Sequence, residues 1–386
     1  MDTLTHALSG ALVARLIATR QAPHAATATA FDRHPAAGRF SAFWDGRPGA
    51  PMPWQAVVVG LVAGAFPDID ALVQLAGDVA YLRHHRGVTH SLLMAPLWAA
   101  LVAAAMALMF GALRQQPGGW KSLYPVALAG IVVHIAGDWI TQFGTMLLAP
   151  FSDTRFGLGA IFIIDLVFTG LLIVGLLLAA LLPRRRWPAA LGLAAAAGWV
   201  VVGWVGQQQA VEIGRQQARA QGWAVERIVV MPRPASPFNW TVAVDDGKTY
   251  HVAHVNTQRQ QRLVATADDS FIRRFSAAYV PAAQAEWSAT PRMGDPATTP
   301  AWVAEAWQHE AFAFYRWFSL VPALEATEEV VASDGRRERC AWFRDLRFGF
   351  PGRDEAPFRY GLCLLGEAGN AGATVYKREA GQRVPL

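Results

Sequence analysis

Apolar stretches close to the length of a bilayer crossing fill the N-terminal half of this chain, and they restrict its fold more than any other feature. In hydrocarbon every backbone N–H and C=O must be satisfied within the protein, so such stretches fold as helices. At about 20 residues per crossing, about six segments are expected. They run from Leu4 to Ala18, Trp54 to Ala76, Leu92 to Leu113, Tyr124 to Leu148, Leu158 to Leu182 and Trp187 to Val205. The first is short, and the second is interrupted by Pro67, Asp68 and Asp70. These two are expected to be partial or re-entrant, with their backbone buried in protein or lining a wet cavity.

The rest of the chain reads differently. Of 386 residues, 53% are hydrophobic and 16% charged, against about 25% charged in an ordinary soluble protein. The apolar excess ends near Gly206. Gln207 to Gln221 is rich in glutamine and is expected to carry the last helix out of the membrane as an extension or linker. From Gly222 onward the pattern turns to strands. Trp240 to Val244 and Thr249 to Val255 alternate apolar and polar residues around Asp246-Gly247, a hairpin signal. Ala304 to Leu320 reads as a helix or a buried strand pair, and Cys340 to Phe350 and Phe358 to Leu365 read as strands. The expected fold is an α-helical transmembrane bundle over residues 1–206, the helical linker 207–221, and a soluble α+β or mostly β domain over 222–386.

The formal net charge of +5 does not point to nucleic acid. Arg184, Arg185 and Arg186 lie beside an apolar segment, where basic residues set topology. With Arg114 and Lys121, and with Arg20, Arg33, Arg39 and Arg47 in the first long connection, they mark the cytoplasmic loops. Arg83 and Arg86 oppose this assignment. On balance the chain is expected to be a multi-pass protein of the plasma (inner) membrane, with its N-terminus and C-terminal domain extracytoplasmic. The first segment does not read as a signal peptide, because no basic residue precedes it and Asp2 and His6 lie within it. Cys340 and Cys363 could pair in an extracytoplasmic domain or stay as two core thiols.

Set into this apolar sequence are His6, Asp68, Asp70, His84, His85, His90, His134 and Asp138. Ionisable groups in membrane segments are costly and suggest function. Mixed imidazole and carboxylate is the ligand chemistry of zinc and similar divalent ions. His134 and Asp138 are four apart, so on a helix they share a face, which Thr141 extends. Asp68 and Asp70 follow Pro67, which breaks the apolar helix; a turn with a capping aspartate would explain one of them better than two. His85 and His90 flank Gly87, with Arg86 as a fixed cation able to hold a phosphate or orient a carboxylate. His6 gains weight only from the others. Under the expected topology all these residues gather on the outer side. Asp165 is a further buried carboxylate, a ligand or a partner to a ligating histidine. His24 and His34 lie in a polar loop, and His251, His254 and His309 lack a partner pattern. No nucleophile elbow, phosphate loop, dinucleotide fingerprint or His-Glu-x-x-His is present.

Together the N-terminal Thr5-His6, Phe66-Pro67-Asp68-Ile69-Asp70, His85-Arg86-Gly87-Val88-Thr89-His90-Ser91, His134-x-x-x-Asp138 and Ile163-Ile164-Asp165 resemble the YdjM-like family over residues 1–180. That resemblance implies a membrane-bound, metal-dependent hydrolase. The order of the ligands is also similar to that of zinc-dependent phospholipase C and nuclease P1 enzymes, at the level of fold analogy.

The expected function is an integral membrane hydrolase acting on a lipid or phosphoester-type substrate through a metal-activated water. One or two divalent ions, zinc first, would be held by His6, Asp68, Asp70, His85, His90, His134 and Asp138, with Arg86 and Asp70 serving catalysis. The bilayer and such a substrate are its expected partners, and nucleic acid is not. The alternatives are a metal-ion or proton transporter and a scaffold with a structural metal. A conduit needs polar groups in both membrane halves, whereas an enzyme needs one cavity.

Overall fold

A computed structural model describes residues 1–18, 51–331, 337–353, 356–365, 372–379 and 381–386. Arg20, His24, Arg33, His34, Arg39 and Arg47 lie outside the described residues. The chain forms two compact units, Met1–Ala71 with His85–Trp204, and Leu72–His84 with Val205–Leu386.

The first unit is helical. Helix α1 (Thr3–Ile17) starts at Asp2, whose side chain accepts from the Thr5 amide at 3.0 Å. Helix α2 (Pro53–Ala65) continues as a 3₁₀ segment, Phe66–Ala76, through Pro67. The short helix α3 (Asp78–His84) belongs to the second unit, and the chain returns to the first through a 3₁₀ turn (Val88–His90) that leads to α4 (Ala95–Met109) and α5 (Gly111–Arg114). Then follow α6 (Tyr124–Trp139), α7 (Leu166–Leu181) and the long α8 (Trp187–Gln221), whose residues from Val205 onward belong to the second unit. As the glutamine-rich stretch suggested, α8 runs without a break through Gln221.

Helices α1 and α2 meet through glycine. A Cβ on Gly10 would fall 2.1 Å from the Gly60 carbonyl oxygen, and one on Gly64 would fall 2.5 Å from that of His6. Contact this close is available only to small residues, and it is a common way for apolar helices to associate where lipid removes the hydrophobic drive. Buried Arg15, near the end of α1, donates to the Ala179 and Pro183 carbonyls at the end of α7. There a cation offsets unpaired helix-terminal carbonyls.

Among the described residues two helices, Pro53–Ala76 and Trp187–Gln221, are long and apolar enough to cross a membrane. The pair Asp78–His90 and Ala95–Met109, bent by 80°, makes a third if counted as one. Thr3–Ile17, Tyr124–Trp139 and Leu166–Leu181 are apolar but shorter. Two expected segments shrink for visible reasons. Helix α7 begins at Leu166 instead of Leu158 because Asp165 caps it, accepting from the Val167 and Phe168 amides. Helix α6 stops at Trp139 instead of Leu148. The chain turns there, Thr141 bonding back to the Asp138 carbonyl and Gly144 adopting φ +86°. The apolar residues beyond pack as loop, which composition alone does not distinguish from helix.

The second unit is rich in β-sheet. Strands β1 (Arg227–Pro232), β2 (Asn239–Asp245) and β3 (Thr249–Asn256) run antiparallel. After α9 (Phe271–Ala277), β4 (Val280–Pro281) pairs parallel with β3, and β5 (Ser288–Pro291) pairs antiparallel with it. The expected hairpin turn forms at Asp246-Gly247, with Gly247 at φ +91° and Asp246 accepting from the Lys248 and Thr249 amides. The Trp- and Phe-rich stretch forms two short helices, α10 (Trp302–Gln308) and α11 (Ala313–Phe318). A second antiparallel sheet has the order β10-β9-β8-β7-β6, formed by β6 (Pro322–Val331), β7 (Arg337–Asp345), β8 (Tyr360–Leu365), β9 (Ala373–Glu379) and β10 (Gln382–Pro385). Cys340 and Cys363 face each other across β7 and β8 and are joined in a disulfide.

Candidate metal centre

The site lies within the helical unit and starts from two histidines whose tautomers are set by their neighbours. His134, on α6, has Nδ1 2.6 Å from the Gly64 carbonyl oxygen. A carbonyl only accepts, so Nδ1 carries the proton and Nε2 of the neutral ring presents a lone pair. His90 closes the 3₁₀ turn after Gly87, and its Nδ1 lies 3.1 Å from Asp70 Oδ2. Thr89 Oγ1 donates to that same oxygen at 2.8 Å, so it can only accept from His90 Nδ1, 3.0 Å away. His90 Nε2 is therefore also a lone pair in the neutral ring. The two Nε2 atoms stand 2.9 Å apart.

Two carboxylates complete the arrangement. Asp138 lies one turn along α6 from His134, and its Oδ2 is 3.1 Å from His90 Nε2 and 3.7 Å from His134 Nε2. That oxygen is buried and has no hydrogen-bond donor among the described residues. Asp68 Oδ1 is 3.6 Å from both Nε2 atoms, while Asp68 Oδ2 accepts from Thr3 Oγ1 at 2.6 Å. Asp68, His90, His134 and Asp138 each offer one atom, all within 4.8 Å of one another. With neutral imidazoles, four acceptor atoms converge with no hydrogen between them. Desolvated lone pairs repel unless a cation lies among them, so the donor set fits a divalent metal ion. His90, His134 and Asp138 are buried, whereas Asp68 keeps 14% of its side chain exposed and marks the open side.

Asp70, His85, His6 and Arg86 surround this group. Asp70 does not enter it. Its Oδ2 accepts from the Arg86 amide at 2.9 Å as well as from Thr89, and its Oδ1 lies 2.9 Å from His85 Nδ1. It thus holds His90 from behind, as carboxylates commonly orient ligating imidazoles. His85 is committed to Asp70 and stands outside the four. His6 Nε2 is 3.0 Å from Asp138 Oδ1, and its ring stacks on His134 with centroids 3.7 Å apart. Asp138 Oδ1 also meets Arg86 Nη2 at 3.0 Å and the backbone nitrogen of Met1. Arg86 sits at φ +60°, is buried, reaches Thr141 Oγ1 at 3.1 Å and lies over Phe143. Its Nε has no partner among the described residues. His84 is exposed. Asp165 is taken up by capping α7 and by the Trp199 indole at 3.0 Å. Ser91 Oγ donates to the Ala149 carbonyl. In the β-rich unit, His251 bonds Asp246, His254 bonds Thr241, and His309 caps a 3₁₀ turn.

Two contributors escaped the sequence reading: Thr3, which orients Asp68, and Gly64, which supplies the carbonyl that fixes the His134 tautomer. Thr89 stands in the His85–Ser91 motif, and the structure gives it the role of orienting Asp70. The spacing Gly60-x-x-x-Gly64 carried a signal for close helix approach. Nothing local marked Thr3, because its partner lies in another segment.

Comparison with known proteins bears on the same half of the chain. The family described as YdjM inner membrane protein matches residues 1–210. The uncharacterized protein YfhP of Bacillus subtilis is 31% identical over 107 residues, 28% of this chain and 31% of that protein. The match therefore spans about a third of that relative. No solved structure matches the chain.

Proposed function

Because this chain belongs to the YdjM inner membrane protein family and gathers a buried His/Asp donor set, we propose that it is an integral membrane metal-dependent hydrolase. Its substrate in this reading is a lipid or another phosphoester-type molecule. The observation that carries the proposal is the convergence of His90 Nε2, His134 Nε2, Asp138 Oδ2 and Asp68 Oδ1 within 4.8 Å of one another. A divalent ion bound there, zinc by the mixed nitrogen and oxygen donors, would activate a water as nucleophile and polarise the scissile group.

The chain's own residues would do the rest. His90 and His134 present fixed lone pairs because Asp70 and the Gly64 carbonyl hold their far nitrogens. Arg86 spans Asp138 and Thr141 and keeps a positive charge beside the donors. That charge favours the approach of an anionic phosphoester. His6 steadies Asp138 from the other side. Asp68, as the most exposed of the four, faces the entry of substrate. A compact cluster of this kind suits a single cavity better than a conduit through both membrane halves.

In the same reading all six apolar segments belong to the membrane, with the N-terminus and the β-rich domain extracytoplasmic. The Cys340–Cys363 disulfide supports that side, since disulfides persist in oxidising compartments. The test is elemental analysis of the purified protein beside Asp138→Ala, paired with hydrolysis of phosphoester lipids in micelles. Loss of metal and of turnover together is expected. A variant that retains its full metal would sink the site, and ion flux in proteoliposomes without hydrolysis would favour a transporter.

A further inference from the structure

We infer that the β-rich unit carries its own membrane contact. Val264, Phe271 and Ile272, with Arg262, Arg273 and Arg274, form a patch that beds into the anionic headgroup layer beside α8. The inference rests on α8 crossing the bilayer, and it concerns residues far from the metal centre in the chain.

The register of β2 on α8 orients the unit. A Cβ on Gly206 would fall 2.5 Å from the Pro237 carbonyl oxygen and 3.0 Å from Trp240 Nε1. Further along the helix, a Cβ on Gly214 would touch Val242 and Val244. The step from Gly206 to Gly214 is about 12 Å along a helix. The step from Trp240 to Val244 is about 13 Å along a strand. Strand and helix therefore advance together, and Asn239 marks the end of β2 nearest Gly206. The sequence of α8 changes from apolar to glutamine-rich at Gln207. The opposite end of β2 leads to the Asp246-Gly247 turn.

The patch is fastened to the end near Gly206. Gln258 donates to Gln209 of α8 at 2.7 Å. Arg259 donates to the Ser276 and Tyr279 carbonyls, and Asn239 reaches Ser276 Oγ at 3.0 Å. These bonds hold α9 and the preceding loop at the level where α8 changes from apolar to polar. Arg273 ties the loop to α9 through the Val264 carbonyl and pairs with Asp269.

The surface presented there suits a lipid headgroup layer. Val264, Phe271 and Ile272 are 71%, 63% and 51% exposed. Phe271 is the one exposed aromatic side chain of this unit among the described residues. Between Arg259 and Phe275 the chain has four arginines against two aspartates. Apolar side chains that enter the interface, flanked by basic ones that meet anionic lipid, are the usual composition of an interfacial contact.

The chain's two cysteines are paired, so an introduced cysteine takes an environment-sensitive fluorophore uniquely. The full chain would be labelled at Ile272→Cys, Phe271→Cys, Lys248→Cys or Val201→Cys. It would be reconstituted in vesicles of phosphatidylglycerol and phosphatidylcholine. Labels at 271 and 272 are expected to be quenched by nitroxide lipid and to show several-fold weaker iodide quenching than the label at 248. Val201, 57% exposed on the apolar part of α8, reports the crossing independently. Lipid quenching at 201 but not at 271 and 272 would overturn the patch alone, and its absence at all three would also remove the premise. Protection of 272 from both quenchers, rising with protein density, would assign the surface to a second copy and overturn the lipid contact.

Discussion

His90 Nε2 and His134 Nε2 face each other at 2.9 Å, each on a ring whose other nitrogen is held by an acceptor. In neutral rings neither nitrogen carries a hydrogen for the other, and Asp138 Oδ2 beside them lacks a donor. The site is thus arranged around positive charge, and it depends on the groups that hold the rings in that orientation.

Asp70 is the clearest of these. Asp70→Asn keeps the shape but places an amide against the Arg86 amide, Thr89 and the two imidazoles. Loss of an orienting partner of this kind typically lowers metal affinity by about 10- to 100-fold. Competition with a chelator, read by elemental analysis, should show that weakening in D70N and near-complete loss in H134A. Unchanged affinity in D70N would remove Asp70 from the site.

The glycine contacts set the distance between α1 and α2. In Gly64→Ala the new methyl meets the His6 carbonyl oxygen at 2.5 Å, and in Gly60→Ala it meets that of Gly10 at 2.4 Å. Overpacking costs about 1–3 kcal/mol. Both variants should unfold earlier in a detergent melt. Gly170→Ala, with nothing within 4 Å of the added carbon, should be neutral or stabilised by up to about 1 kcal/mol. Equal behaviour of all three would contradict the close approach.

The disulfide should be worth stability to the β-rich unit. Cys340 and Cys363 are separated by 23 positions, and closing a loop of that size is worth about 3 kcal/mol by chain entropy. The double substitution to alanine should lower the melting temperature of this unit, followed by near-ultraviolet circular dichroism, and leave metal content unchanged. Mass spectrometry of the unreduced chain should find no alkylatable thiol.

Acid should destabilise the same unit through His254. Burial, and then the Arg233 guanidinium nearby, push its pKa down to about 4. In the unfolded chain a histidine titrates near 6.5. Between these values the unfolded chain binds the proton and the folded one does not. The neutral ring's contribution is therefore complete above about pH 6.5 and declines as pH falls toward about 4. His254→Gln should flatten the dependence of the melting temperature across that window. A variant with the wild-type slope would place the effect elsewhere.

Sequence alone determined the division into a helical apolar half and a strand-rich half, the residue types of a metal site, and the kinship with the family. Those are local properties: hydropathy follows from side-chain type, and periodicity from backbone geometry. It also implied that His134 and Asp138 share a helical face, which needs only a four-residue spacing. Tertiary structure decided which of the seven candidates converge. Asp68, His90, His134 and Asp138 come from three separate segments, brought together by glycine contacts and by the turn at Gly87. Asp70, a neighbour of Asp68 in sequence, is turned to the back of His90 by the 3₁₀ path after Pro67. Asp165, equally apolar in its surroundings, was drawn off by two helix amides and an indole. The pairing of the cysteines, and the ends of α6 and α7, were likewise settled by hydrogen-bond partners and register. Partners of that kind lie far apart in the chain, and no local pattern encodes them.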